Sequence, residues 1–152
     1  MNCKKAISVL LAVLLVVCFS VTAFAADDNG RVVSRTVEQY DNGAYAVITV
    51  YDNTTARGGT KNGRKDFDYY ESGSLAWTFT VHGSFSYNGS SATCTAASYT
   101  YNINKSEWYR VKGEAYPSGS AAIAKGVMQK KSTGKRVYPT VTLTCTPNGV
   151  LA

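Results

Sequence analysis

Leu75-Ala76-Trp77-Thr78-Phe79-Thr80-Val81-His82-Gly83-Ser84-Phe85-Ser86-Tyr87 decides the fold. Trp77, Phe79, Val81, Phe85 and Tyr87 alternate with Thr78, Thr80, His82, Ser84 and Ser86. A period of two marks a strand with one face buried and the other in water. Asn88-Gly89 follows and, read as a two-residue turn, pairs Tyr87 with Ser90, Phe85 with Ala92 and Gly83 with Cys94. That register puts Cys94 on the buried face, with a glycine opposite that leaves room for its sulfur. Tyr99, Tyr101 and Ile103 have the opposite parity to Ala92, Cys94 and Ala96, and a bulge or bend near Ala97-Ser98 reconciles the two sets.

Upstream, Arg31 to Tyr40 and Ala44 to Asp52 are rich in Val, Thr and Tyr and flank Asp41-Asn42-Gly43, which reads as a hairpin. The stretch from Asn53 to Glu71 is polar, glycine-rich and basic, and is expected to be a long loop. Downstream, Trp108 to Ala115 and Ala121 to Lys130 are two further strands. In the last strand Val137, Val141, Leu143 and Cys145 share an inner face, and Pro139 places its start at a sheet edge. Seven strands and no amphipathic helix predict an all-β fold, an antiparallel two-sheet sandwich of immunoglobulin-like architecture.

The chain has 152 residues, of which 45% are hydrophobic, 12% aromatic and 17% charged. That is one domain, too apolar to be disordered. Residues 1–25 read as a secretory signal. Lys4 and Lys5 are followed by the apolar run Ile7 to Val17, too short to span a membrane, and by Ala23-Phe24-Ala25, with cleavage before Ala26. Val17 before Cys18 does not suit a lipoprotein anchor. The expected mature chain is a single secreted domain over 26–152, carrying a basic loop at about 53–74. It keeps 14 basic and 10 acidic residues, a formal charge of +4. Cys94 and Cys145 are the two cysteines left, and an oxidising compartment favours a disulfide between them. No second hydrophobic stretch offers a membrane span.

Cys94, Trp108 and Cys145 stand in an order that resembles the Cys…Trp…Cys pattern of immunoglobulin domains. Leu143 occupies the place of the tyrosine corner, and only seven residues follow Cys145, too few for a final strand. Three segments carry a closer likeness: Trp77-Thr78-Phe79-Thr80-Val81, Ser86-Tyr87-Asn88-Gly89-Ser90-Ser91-Ala92-Thr93-Cys94, and Val141-Thr142-Leu143-Thr144-Cys145-Thr146-Pro147-Asn148-Gly149. With Trp108, they resemble a set of small secreted β-sandwich proteins of Gram-positive bacteria, over roughly residues 74–152. The resemblance implies location and architecture, and no activity.

Candidate chemistry is sparse. His82 is the only histidine and lies on the polar face of its strand. No nucleophile motif accompanies it, and a zinc site lacks ligands. Asp66, Asp68 and Glu71 are a weak calcium candidate. Glu107 and Glu114 lie seven apart, so a strand sends them to opposite faces and they make a poor glycosidase pair. Arg57, Lys61, Arg64 and Lys65, followed by Phe67, Tyr69 and Tyr70, form one basic-aromatic cluster. Lys130, Lys131, Lys135 and Arg136 form a second. Cations beside aromatic rings suit polyanions. Tyr40, Tyr51, Tyr87 and Tyr101, each before Asp or Asn, would also suit stacking on sugars. The expected function is non-catalytic binding of an anionic cell-wall polymer, an acidic glycan or an extracellular protein, without cofactor and not directed at nucleic acid. Self-assembly through strand edges and bacteriocin-like antagonism are the alternatives, with hydrolysis last.

Overall fold

A computed structural model describes residues 30–54 and 58–152. The expected signal segment 1–25, with Cys3 and Cys18, and Arg57 lie outside the described residues. The described residues form nine strands: β1 (Arg31–Gln39), β2 (Tyr45–Asp52), β3 (Thr60–Glu71), β4 (Ser74–Tyr87), β5 (Ala92–Ile103), β6 (Trp108–Ser118), β7 (Ala121–Lys130), β8 (Arg136–Val137) and β9 (Thr140–Thr144). Strands β1 to β5 make one antiparallel sheet in chain order. In the second sheet β7 is central, with β6 on one side and β8 and β9 on the other. The two-sheet sandwich is as the alternation in β4 implies. The chain-order meander of the first sheet differs from the interleaved order of an immunoglobulin domain.

Inward residues of both sheets close one core. Ala46 and Val50 of β2, Phe67 and Tyr69 of β3, and Trp77, Phe79, Val81 and Phe85 of β4 meet Ala122, Ala124 and Met128 of β7 and Val141 and Leu143 of β9. Trp77 stacks on Tyr69 at 4.9 Å and on Phe67 at 5.6 Å, and Tyr69 meets Trp108 edge-on. Such pairs stabilise by about 0.5–1.5 kcal/mol beyond the apolar area they bury. Glycine lets the layers approach. A Cβ on Gly126 would stand 2.9 Å from the Phe79 ring.

Three expectations are corrected. The basic stretch is not a loop: residues 60–71 are strand β3, paired on both sides by β2 and β4. Its alternation is hidden because the inward set includes Gly63 and Lys65. Leu151 and Leu143 fill the space over Gly63, and Lys65 donates its Nζ to the Thr142 carbonyl at 3.0 Å. Asn88-Gly89 belongs to a longer turn, so Tyr87 pairs with Ala92 and Phe85, not Gly83, faces Cys94. The Asn88 side-chain oxygen accepts the amides of Ser90 and Ser91, which closes that turn. A bulge does reconcile the two parities of β5, at Thr95, where Ser84 pairs with Ala96 and Phe85 with Cys94. The final strand is two strands, β8 and β9, because Pro139 interrupts it and turns its carbonyl to the Gly126 amide.

Candidate binding groove on the outer face

The face of the first sheet turned away from the core carries side chains in register across strands. One row runs Tyr51, Arg64, His82, Ser98; the next runs Thr49, Asp66, Thr80, Thr100; a third runs Val47, Asp68, Thr78, Asn102. Cross-strand neighbours of this kind touch, and here they hold one another. Asp66 accepts the Thr80 hydroxyl at 2.9 Å, and its other oxygen lies 3.4 Å from Arg64 Nε. Asp68 accepts the Thr78 hydroxyl at 2.6 Å. The Arg64 guanidinium lies 4.1 Å from the centre of the Tyr51 ring. His82 Nε2 and the Thr100 hydroxyl are 2.9 Å apart.

Burial sets the charge states. It pushes the His82 imidazole below its ordinary range, with Asp66 opposing and Arg64 adding to the effect, so the ring is neutral at pH 7. It pushes the Asp68 carboxyl up, against the Thr78 hydrogen bond, and the charge of Asp66 adds to the rise.

At one end of this face a depression of about 460 Å³ opens, within the range of roughly 300–1,000 Å³ usual for ligand sites. Gly63, Gly83 and Ala97 stand side by side on β3, β4 and β5. Residues of this parity point inward, so backbone forms the floor. Arg64, His82 and Ser98 rise along one side; Asn53, Asn62, Ser84 and Ala96 line the other.

Of the described residues expected to bind a polyanion, only Arg64 lines this depression. Within β3, Lys61 and Lys65 point to the opposite side from Arg64. Lys61 is bonded to Asp52 at 2.6 Å, and Lys65 is spent on the Thr142 carbonyl. Tyr69 is buried, while Tyr70 stacks on Tyr45 at 4.7 Å. The second cluster ties the sheets together. Lys130 pairs with Glu71 at 2.8 Å, Lys131 donates to the Ser106 carbonyl, Lys135 donates to the Tyr69 hydroxyl and Arg136 to Gln129. Asp66, Asp68 and Glu71 are separated as well. The first two face outward, whereas Glu71 accepts from Trp108 Nε1 and Lys130 at the sheet junction. Among the described residues no three His, Cys, Asp or Glu side chains come together as metal ligands.

Cys94 and Cys145 are buried free thiols, not the disulfide expected from composition. Their backbones nevertheless converge: the Cys94 amide donates to the Gly119 carbonyl at 2.7 Å and the Cys145 amide to the Ser120 carbonyl at 3.0 Å.

Asn62, Ser84 and Ser98 were not singled out by sequence reasoning. The outward alternation of β4 exposes Ser84 as a candidate, but Asn62 joins it only once β3 is known to be a strand. No family model, curated protein or solved structure matches the chain. Among the described residues no helix is long and apolar enough to cross a membrane.

Proposed function

We propose that the chain is a secreted, non-catalytic β-sandwich that binds an extracellular surface polymer through the outer face of its five-stranded sheet. The observation that carries this reading is the polar-walled depression of about 460 Å³ over a floor of small residues. Binding rather than turnover is supported by the engagement of Asp66 with Thr80 and Arg64, since a catalytic imidazole needs an acid to orient it. Secretion is supported by the signal-like residues 1–25.

The test is co-sedimentation of the protein with purified cell walls, with and without teichoic acids, across a salt series. Binding that survives high salt and removal of teichoic acid is expected, because the two lysine clusters are engaged within the fold. An absence of binding at low salt would sink the reading.

Self-association is a second reading, favoured by the sequence of β5. This strand lies at a sheet edge, and Ala92 to Asn104 carries no charged residue. The opposite edge, β1, carries Arg31, Arg35 and Glu38. Sedimentation velocity over a concentration series would reveal it as a mass that rises with concentration.

A further inference from the structure

We infer that the groove crossing β3, β4 and β5 seats a neutral, hydroxyl-rich glycan chain lying across the strands. This rests on the binding reading above and names its ligand class and residues.

The shape comes from the register. Neighbouring strands lie about 4.8 Å apart, so the floor made by Gly63, Gly83 and Ala97 runs about 10 Å across the sheet. The walls rise from backbone positions two residues apart along each strand, about 6.6 Å. The depression of about 460 Å³ above this floor has room for a short run of sugar rings. No side chain rises between the walls, because the middle residue of each strand points its Cβ position into the core. Gly83 faces Phe85 and Ala122 there, and Gly63 faces Leu151.

The chemistry of the walls selects against a polyanion. Among the described residues Arg64 is the one cation lining the groove, and Asp66 compensates it at 3.4 Å. The remaining polar groups are of mixed character. The Asn62 carboxamide and the Ser84 and Ser98 hydroxyls each donate and accept, and so does a neutral imidazole at His82. Sugar hydroxyls, which also donate and accept, match such a lining. Sulfates, phosphates and carboxylates would leave its acceptors unmatched. The Arg64 guanidinium lies over the Tyr51 ring and is ion-paired with Asp66 through Nε. Its terminal N–H groups have no protein partner among the described residues and remain for a ligand oxygen. Arg64 and His82 are thus fixed before ligand arrives, which lowers the ordering cost of binding.

The experiment titrates the purified protein with cello-, chito- and malto-oligosaccharides, and with dextran sulfate as the polyanion, by calorimetry at low and high salt. Asn62→Ala, Ser98→Trp and, as a control on the other sheet, Lys131→Ala are titrated in parallel, with circular dichroism confirming each fold. One neutral oligosaccharide series is expected to bind with an affinity indifferent to salt. Asn62→Ala should weaken it about three- to tenfold, the effect of one lost hydrogen bond. Ser98→Trp should fill the slot and abolish binding, and Lys131→Ala should change nothing. Salt-sensitive preference for dextran sulfate would overturn the ligand class. Oligosaccharide binding untouched by Asn62→Ala and Ser98→Trp would overturn the groove. If walls co-sediment but no oligosaccharide binds, the inference falls and the wall-binding reading stands. If neither binds, both fall.

Discussion

Gly83 sits where the core and the groove share one layer of backbone, and Gly83→Ala measures how tightly that layer is packed. The added Cβ would stand 2.6 and 2.7 Å from two ring carbons of Phe85 and 2.9 Å from the Ala122 Cβ. Phe85 is 2% exposed and Ala122 fully buried, so neither has free space to retreat into. Two effects of opposite sign compete. Replacing glycine restricts the unfolded chain and stabilises by about 0.4–1 kcal/mol. Overpacking a filled core costs about 1–3 kcal/mol. The contacts lie well inside ordinary van der Waals distance from three atoms at once, so overpacking wins, with a net loss of about 1–2 kcal/mol. For a domain of this size the melting temperature should fall by about 4–8 °C. Thermal and urea unfolding followed by the fluorescence of Trp77 and Trp108, both buried, would read it. Phe85→Leu trims the ring that the new methyl meets, so the double variant should be less destabilised than the sum of the singles. A melting temperature for Gly83→Ala equal to or above that of the parent would refute the packing argument.

Glu71→Gln should destabilise the protein at neutral pH by weakening the Lys130 contact that joins the sheets. Burial alone would raise the Glu71 carboxyl. The hydrogen bond and charge of Lys130, with help from Trp108 and Lys135, pull it below its ordinary value of 4.5. The contribution is therefore complete above that value and disappears as pH falls through the lower folded value, so the melting curves of parent and variant should converge in acid. A gap that persists unchanged at low pH would count against an ionic origin. Asn88→Ala removes the acceptor for two backbone amides of the β4–β5 turn and should cost about 1 kcal/mol, seen as a lower urea midpoint with unchanged slope.

The architecture was legible where polarity and strand period coincide. From Trp77 to Tyr87 every inward residue of β4 except Gly83 is large and apolar, and the outward ones are Thr, Ser or His, so the strand and its two faces follow directly from sequence. The β1–β2 hairpin was legible too, since Asn42 and Gly43 take the positive φ that Asn-Gly favours, here 63° and 73°. Strand β3 was hidden because its pattern depends on partners far along the chain. Gly63 reads as a turn former until Leu151 is seen to fill the space over it, and Lys65 reads as a solvated cation until Thr142 receives it. The β4–β5 register was displaced for a similar reason. The Gly89 amide is held by the Pro147 carbonyl and the Tyr87 amide by Gly59, which a local turn rule does not see. The candidate site inherited both errors. Charge composition pointed to clusters that the strand alternation divides, whereas the groove is written in small and neutral residues that composition does not flag.

The chain-order arrangement of β1 to β5 also bears on how the molecule reaches its folded state. Each of these strands pairs with its immediate neighbour in sequence, so the first sheet assembles through short loop closures, the kind that speed folding. The second sheet and the core wait for the remainder of the chain: β8 and then β9 must line up along the free edge of β7, and Leu151 must reach Gly63. An early five-stranded intermediate would therefore carry its apolar face uncovered, with Trp77, Phe79 and Phe85 open to water until the C-terminal strands arrive. Covering that apolar face thus falls to the strands of the second sheet, even though the groove is built by the strands that come before them.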